Sequence, residues 1–346
     1  PSAAGQRHQT LIAAYRFGSF APGRSRIVID LAAAARVEAV GCEPSSGNGE
    51  RLVVELVRTD QASFALAAQQ AQANDVRPTM EAAPKAAQNA DNKPIIVLDP
   101  GHGGLDTGAI GGKGIVEKQI VLDFAKELAA KLEASGRYKV VMTRSTDVFV
   151  PLTERVHMAR DSNAALFISV HADDLLDGGS SVSGATVYTA SDKASDAEAA
   201  RLAETENKAD AAGGVARQDD PSDVSDILLD LTRRETRAYS NVFARTLVNY
   251  WKVAARLNKN PHRSAGFVVL KAPDVPSVLL ELGYLSSPKD TAELLSSDWR
   301  DRATDSVMRS IDGFFEQRQA PLGAAKGNGE PAQPAATAAG VAVSQH

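Results

Sequence analysis

The chain has 346 residues, 43% hydrophobic and 23% charged, so it can bury a full-sized core and is expected to hold more than one domain. A net charge of −5, a pI near 5.8 and the lack of any Lys/Arg cluster argue against nucleic acid as the main partner, because phosphate binding needs a basic surface. The single cysteine, Cys42, excludes both an intrachain disulfide framework and a thiolate zinc site, and no run of about 18 apolar residues is available to span a bilayer.

In chain order, residues 1–60 carry two partly alternating stretches, 26–31 (Arg-Ile-Val-Ile-Asp-Leu) and 51–57 (Arg-Leu-Val-Val-Glu-Leu-Val). Between them 45–49 (Ser-Ser-Gly-Asn-Gly) is turn chemistry. Too few strands are present for an independent sandwich, so this is expected to be a partial β-rich module. Residues 61–92 shift to Ala, Gln, Asn and Pro, which bury too little to offset ordering entropy and read as a flexible linker. Residues 319–346 have the same character and are expected to be a disordered tail.

Between linker and tail, residues 93–318 alternate strand and helix. The run 95–104 (Ile-Ile-Val-Leu-Asp-Pro-Gly-His-Gly-Gly) reads as a buried strand stopped at Asp99 and Pro100, which delivers His102 at the strand's carboxyl end. That is where open α/β sheets keep their sites, and flanking glycines allow close backbone approach. The apolar run 165–170 ends on His171, and 277–280 ends on Glu281. Glu117 opens a helical pattern of Ile120, Phe124, Leu128 and Leu132. Further strands are expected at 138–143, 184–189 and 267–270, with helices at 152–160 and at 237–256, the latter presenting Phe243, Leu247, Tyr250, Trp251 and Ala254. A last helix turns Trp299, Ala303, Val307, Ile311 and Phe314 inward. The alternation predicts an α/β fold: a mostly parallel twisted sheet flanked by helices on both faces.

Residues 190–236 exceed an ordinary connection and hold helical stretches at 195–211 and 224–233. Loops of this length in compact domains are lids, binding elements or disordered insertions. His157 is expected on a helix surface and His262 in a turn near the rim, while His8 and His346 lie in terminal segments.

With no usable thiolate, a metal has to take His, Asp or Glu. His102, Glu117 and His171 would form a tripod suited to Zn²⁺, with a fourth position left for water and its pKa lowered to roughly 7. Glu281, a carboxylate ending four apolar residues, needs a buried partner and is the candidate general base. The pattern by itself leaves Glu117 open, since a carboxylate is also favourable at a helix N-terminus.

Residues 98–104 (Leu-Asp-Pro-Gly-His-Gly-Gly), Glu117-Lys118, 169–173 (Ser-Val-His-Ala-Asp) and 280–285 (Leu-Glu-Leu-Gly-Tyr-Leu) together resemble the zinc-dependent N-acetylmuramoyl-L-alanine amidases of the bacterial cell wall. The resemblance covers about residues 93–317 and implies that His102, Glu117 and His171 bind zinc and that Glu281 is catalytic. It also implies a peptidoglycan substrate, a periplasmic location with a signal peptide upstream, and residues 1–60 as part of a peptidoglycan-targeting module. Division-associated members carry a helix in the position of the insertion. It covers the site, donates a glutamate to zinc and is displaced by an activator with a degenerate LytM-type peptidase domain. Residues 203–210 (Ala-Glu-Thr-Glu-Asn-Lys-Ala-Asp) resemble that helix, with Glu206 as first choice for the blocking carboxylate and Glu204 as second. The competing readings are a catalytically silent wall-binding module, an interaction platform, and a zinc peptidase acting within the stem peptide.

Overall fold

A computed structural model describes residues 11–21, 24–44, 50–65, 93–174, 182–215 and 227–319. The expected turn at 45–49, most of the linker and the tail from residue 320 lie outside the described residues. The N-terminal part forms two antiparallel pairs, β1 (Ile12–Ala21) with β2 (Arg24–Leu31) and β3 (Ala35–Pro44) with β4 (Glu50–Arg58). Tyr15, Phe17, Ile27, Val37 and Val40 are exposed on them, as expected of strands whose apolar side chains lack a core of their own.

The second part is built on a six-stranded sheet in the order β6-β5-β7-β10-β8-β9. Its strands are β5 (Ile95–Pro100), β6 (Lys139–Met142), β7 (Leu166–His171), β8 (Ala185–Ala190), β9 (Leu257–Ala265) and β10 (Ser277–Glu281). β6, β5, β7 and β10 run parallel, whereas β8 lies antiparallel to β10. Both faces are covered, and the two-residue period of the strands sorts their side chains between two cores. Ile96, Leu98, Ile168, Val170 and Leu280 pack under α1 (Glu117–Ala134), α5 (Ile227–Ala254) and α7 (Ser297–Gln319). Val97, Phe167 and Leu279 point the other way, toward α2 (Leu152–Asp161) and α3 (Ala197–Glu206).

Three expectations are corrected. Residues 267–270 are not a strand: Val268–Leu270 is a 3-10 turn, and the strand is β9, immediately before it. Pro261 made that stretch read as a turn, but β9 is an edge strand, where a missing N–H is tolerated. The described part of the helical stretch expected at 224–233, from Ile227 on, and most of the one expected at 237–256 belong to one helix, α5, along which Trp251 is fully buried while Tyr250 is 41% exposed. The stretch at 195–211 is broken at Asn207 and Lys208 into α3 and the short α4 (Ala209–Ala212).

Register positions the site. Pro100 pairs with Val170 and Glu281 with His171, so β5, β7 and β10 end at one level. β6 and β7 leave β5 on opposite sides, which opens a crevice at the carboxyl ends of the strands.

Beneath the crevice, the buried Asp99 accepts hydrogen bonds from Thr143 Oγ1 (2.6 Å), Arg155 Nη1 (2.7 Å) and Ser169 Oγ (2.7 Å). Burial alone would raise the Asp99 pKa, but Arg155 and the two hydroxyls outweigh it and hold the carboxyl below its ordinary value. The stabilisation is therefore complete above the unfolded pKa of about 3.9 and is lost as pH falls through the native value. Arg155→Leu strands this carboxylate without its cation and is expected to cost about 3–5 kcal/mol, read as a fall in Tm.

Candidate metal centre

His102 sits just past β5 with a φ of 59°, a left-handed conformation uncommon outside glycine. The loop is closed by reciprocal backbone bonds between Gly103 and Asp106 (2.8 and 3.1 Å). Arg155 Nη2 donates to the His102 carbonyl at 2.8 Å, and Arg144 Nη2 donates to that of Gly101 at 2.6 Å. The His102 ring bonds Asp106 Oδ2 through Nδ1 (2.9 Å), which leaves Nε2 facing Glu117 Oε1 at 3.1 Å.

Glu117 is the first residue of α1 and is fully buried. The backbone N–H of Ala109 donates to its Oε2 (2.9 Å) and that of Ala172 to its Oε1 (2.8 Å). His171, the last residue of β7, presents Nδ1 to Glu117 Oε1 at 3.2 Å. Two glycines make room for these groups. A Cβ on Gly101 would lie 2.4 Å from His171 Cε1, and one on Gly108 would lie 2.6 Å from Glu117 Oε2.

One ligand atom from each of His102, Glu117 and His171 falls within 4.8 Å of the others. His102 Nε2 and His171 Nδ1 are buried and make no hydrogen bond. Two buried ring nitrogens without a hydrogen-bond partner, converging beside a buried carboxylate, fit a divalent cation with nitrogen and oxygen ligands. The charges agree. Burial disfavours a proton on His102, yet Glu117, Glu206 and Asp106 outweigh it and push the pKa well above the usual value. Glu117, despite burial, is held well below the carboxylate range by His102 and His171.

Glu281 ends β10 beside this cluster, where its Oε2 accepts from Asp173 N (3.2 Å) and its buried Oε1 has no partner. Burial, then the neighbouring Asp173 and Glu117, push its pKa well above the ordinary range. Asp173 is itself pushed up to about 8 by burial and by Glu117.

Of the two insertion glutamates, Glu206 is buried at the end of α3 with Oε2 3.1 Å from His171 Nδ1 and 3.6 Å from His102 Nε2. Glu204 is not brought in; it is exposed and bonds Lys208 at 2.8 Å. The helix turns only some of its acids inward, because Ala199, Leu202 and Ala203 dock its apolar face on the core. His262 lies on β9 beside Thr189 rather than in a turn, and His157 is half-buried on α2.

The insertion is fastened beyond Glu206. Asn207 clasps the chain before the 3-10 turn, its Oδ1 accepting from Val268 N (2.8 Å) and its Nδ2 donating to Gly266 O (2.9 Å). Asp210 Oδ1 accepts from Leu152 N (2.9 Å) and so caps the first turn of α2 from outside that helix. Sequence reasoning missed Asn207, Asp210, Asp106 and Arg155. The one available signal was Asp106, a carboxylate one loop away from a glycine-flanked histidine.

Fold and cluster define the class, an α/β domain with a strand-end centre of two histidines and a carboxylate. Residues 96–313 match the N-acetylmuramoyl-L-alanine amidase family, and the chain belongs to it, an amidase of peptidoglycan that acts in cell-wall remodelling. It is 33% identical to the amidase AmiC of Escherichia coli O6:H1 over 309 residues, covering 87% of this chain and 73% of that protein. With AmiC of Neisseria meningitidis serogroup B it shares 35% over 320 residues (88% and 75%), and with AmiA of E. coli K12 36% over 230 residues (66% and 78%). The solved amidase AmiC2 of Nostoc punctiforme, 26% identical, aligns over 64% of this chain and 97% of its own at a TM-score of 0.46.

Proposed function

We propose that this amidase uses Zn²⁺ held by His102, Glu117 and His171 to cleave the bond between the lactyl group of N-acetylmuramic acid and L-alanine. The convergence of the two unpartnered histidine nitrogens on Glu117 carries the reading. Zn²⁺ supplies Lewis-acid polarisation of the scissile carbonyl and lowers the pKa of water. Glu281 takes the proton from the attacking water at its free Oε1 and returns it to the amide nitrogen as the C–N bond breaks. A carboxylate held at raised proton affinity by burial suits both directions of that transfer. The products are glycan with a free lactyl carboxyl and a stem peptide with a free L-alanine amine.

Mass spectrometry of soluble products from purified sacculi tests this reading. Peptides beginning at L-alanine are expected. Fragments that leave L-alanine on muramic acid would identify a zinc peptidase instead, and zinc stoichiometry near zero would favour the silent wall-binding module.

The same reading makes α3 an autoinhibitory helix, with Glu206 in zinc's remaining position. Its support is the distance from Glu206 to both histidines and the tightness of the closure: the cavity bordered by His102, His171, Glu206, Asn207 and Leu152 measures ≈ 10 Å³. That is about the room of one water. A partner with a LytM-type domain would open the site by drawing the helix away, in the periplasm and during daughter-cell separation. Among the described residues no helix is long and apolar enough to cross a membrane.

Glu206→Ala is expected to raise basal hydrolysis without an activator. Asn207→Ala removes two hydrogen bonds of the clasp, worth about 1 kcal/mol each, and is expected to raise basal turnover about tenfold or more by loosening the helix. Dye release from labelled sacculi measures both. Unchanged turnover in Glu206→Ala beside a gain on deletion of residues 190–236 would remove Glu206 from the role and keep the lid.

A further inference from the structure

We propose that Asp106 is a positioning residue of the centre: it fixes His102 as the Nδ1–H tautomer, so that Nε2 reaches the metal position with its lone pair free. The proposal rests on the metal reading above and adds a residue to it. Imidazole offers either nitrogen, and the two histidines here use different ones. His102 presents Nε2 and His171 presents Nδ1 to the same Glu117 oxygen. The residue type cannot decide between them, but the group bonded to the opposite nitrogen can.

For His102 that group is Asp106, a buried carboxylate whose Oδ2 lies 2.9 Å from Nδ1. An ionised carboxylate only accepts, so Nδ1 keeps its proton, and the proton that has to leave when a metal binds is the one on Nε2. Asp106 is fixed in turn: its Oδ1 accepts from Gly108 N (3.2 Å), and its backbone exchanges two bonds with Gly103. The left-handed turn at His102 is thus clamped from within its own loop, and ring, tautomer and loop are set together. A carboxylate on the far nitrogen also makes the near nitrogen a stronger donor.

The test uses the full chain, stripped of metal, with Asp106→Ala and Asp106→Asn. Zn²⁺ affinity is measured by competition with a chromophoric chelator, the His102 tautomer by ¹⁵N NMR, and the fold by the Tm of the metal-free protein. Asp106→Ala is expected to weaken Zn²⁺ binding about 10–100-fold. Asp106→Asn, which keeps a neutral acceptor, is expected to lose less. Affinity within about threefold of the parent in Asp106→Ala at unchanged Tm would overturn the proposal. So would a neutral His102 ring in the metal-free parent that carries its single proton on Nε2, a readout that stands even if Asp106→Ala does not fold. A parent that binds no Zn²⁺ would show the metal reading itself to be at fault, before any variant is compared.

Discussion

Glu281→Gln is expected to hold Zn²⁺ as tightly as the parent and to release almost no peptide from sacculi, with kcat lower by about 10²–10⁴-fold. The substitution keeps the shape of the side chain and an oxygen able to accept from Asp173 N, so β10 and its pairing with His171 stay intact. What it removes is the group proposed to take a proton from water and give it to the leaving nitrogen. The centre itself is untouched, because the converging atoms belong to His102, Glu117 and His171. Retained zinc with lost turnover separates a proton carrier from a ligand; lost zinc would move Glu281 into the ligand set, and retained turnover would remove it from the reaction.

Gly101→Ala is expected to abolish Zn²⁺ binding, although it adds a single methyl group to a residue outside the proposed ligand set. The new Cβ would stand 2.4 Å from Cε1 and 2.5 Å from Nε2 of His171. The backbone cannot retreat, because Gly101 N donates to Val170 O at 3.0 Å and its carbonyl accepts from Arg144 at 2.6 Å. The ring has to move instead, and Nδ1 leaves the position it shares with His102 Nε2. A displacement of about 1 Å is ruinous to a fixed coordination geometry. Chelator competition on the variant measures the loss, and the Tm of the metal-free protein confirms the fold. Parent-like zinc affinity would show that the loop yields more readily than its hydrogen bonds indicate.

The site was legible where chemistry and chain order coincide. His102, His171 and Glu281 each follow a run of buried apolar residues, and a polar group in that setting has to be explained. Glu117 was different, since a carboxylate at a helix N-terminus has an ordinary electrostatic role; the pattern left it open and only the resemblance put it among the ligands, while in the structure its oxygens accept from Ala109 and Ala172 with Oε1 turned between the two rings. Glu206 was ranked ahead of Glu204 in the sequence only through the resemblance, since both are acids of one helical stretch. Docking of Ala199, Leu202 and Ala203 on the core fixed the rotation of α3 and sent one inward and the other to solvent.

By itself, the sequence determined the α/β alternation, the buried strands that lead to His102, His171 and Glu281, and the residue types available to hold a metal. These follow from local physics: a period of two or 3.6 residues, a glycine-rich break, and the absence of a usable thiolate. Tertiary structure alone decided which histidine nitrogen faces inward, that Asp106 and Arg155 brace His102, that β9 accepts Pro261 at an edge, and that Asn207 and Asp210 fasten the insertion. Each of those depends on partners far apart in the chain or on the pitch of a loop, and neither leaves a periodic trace in the order of residues.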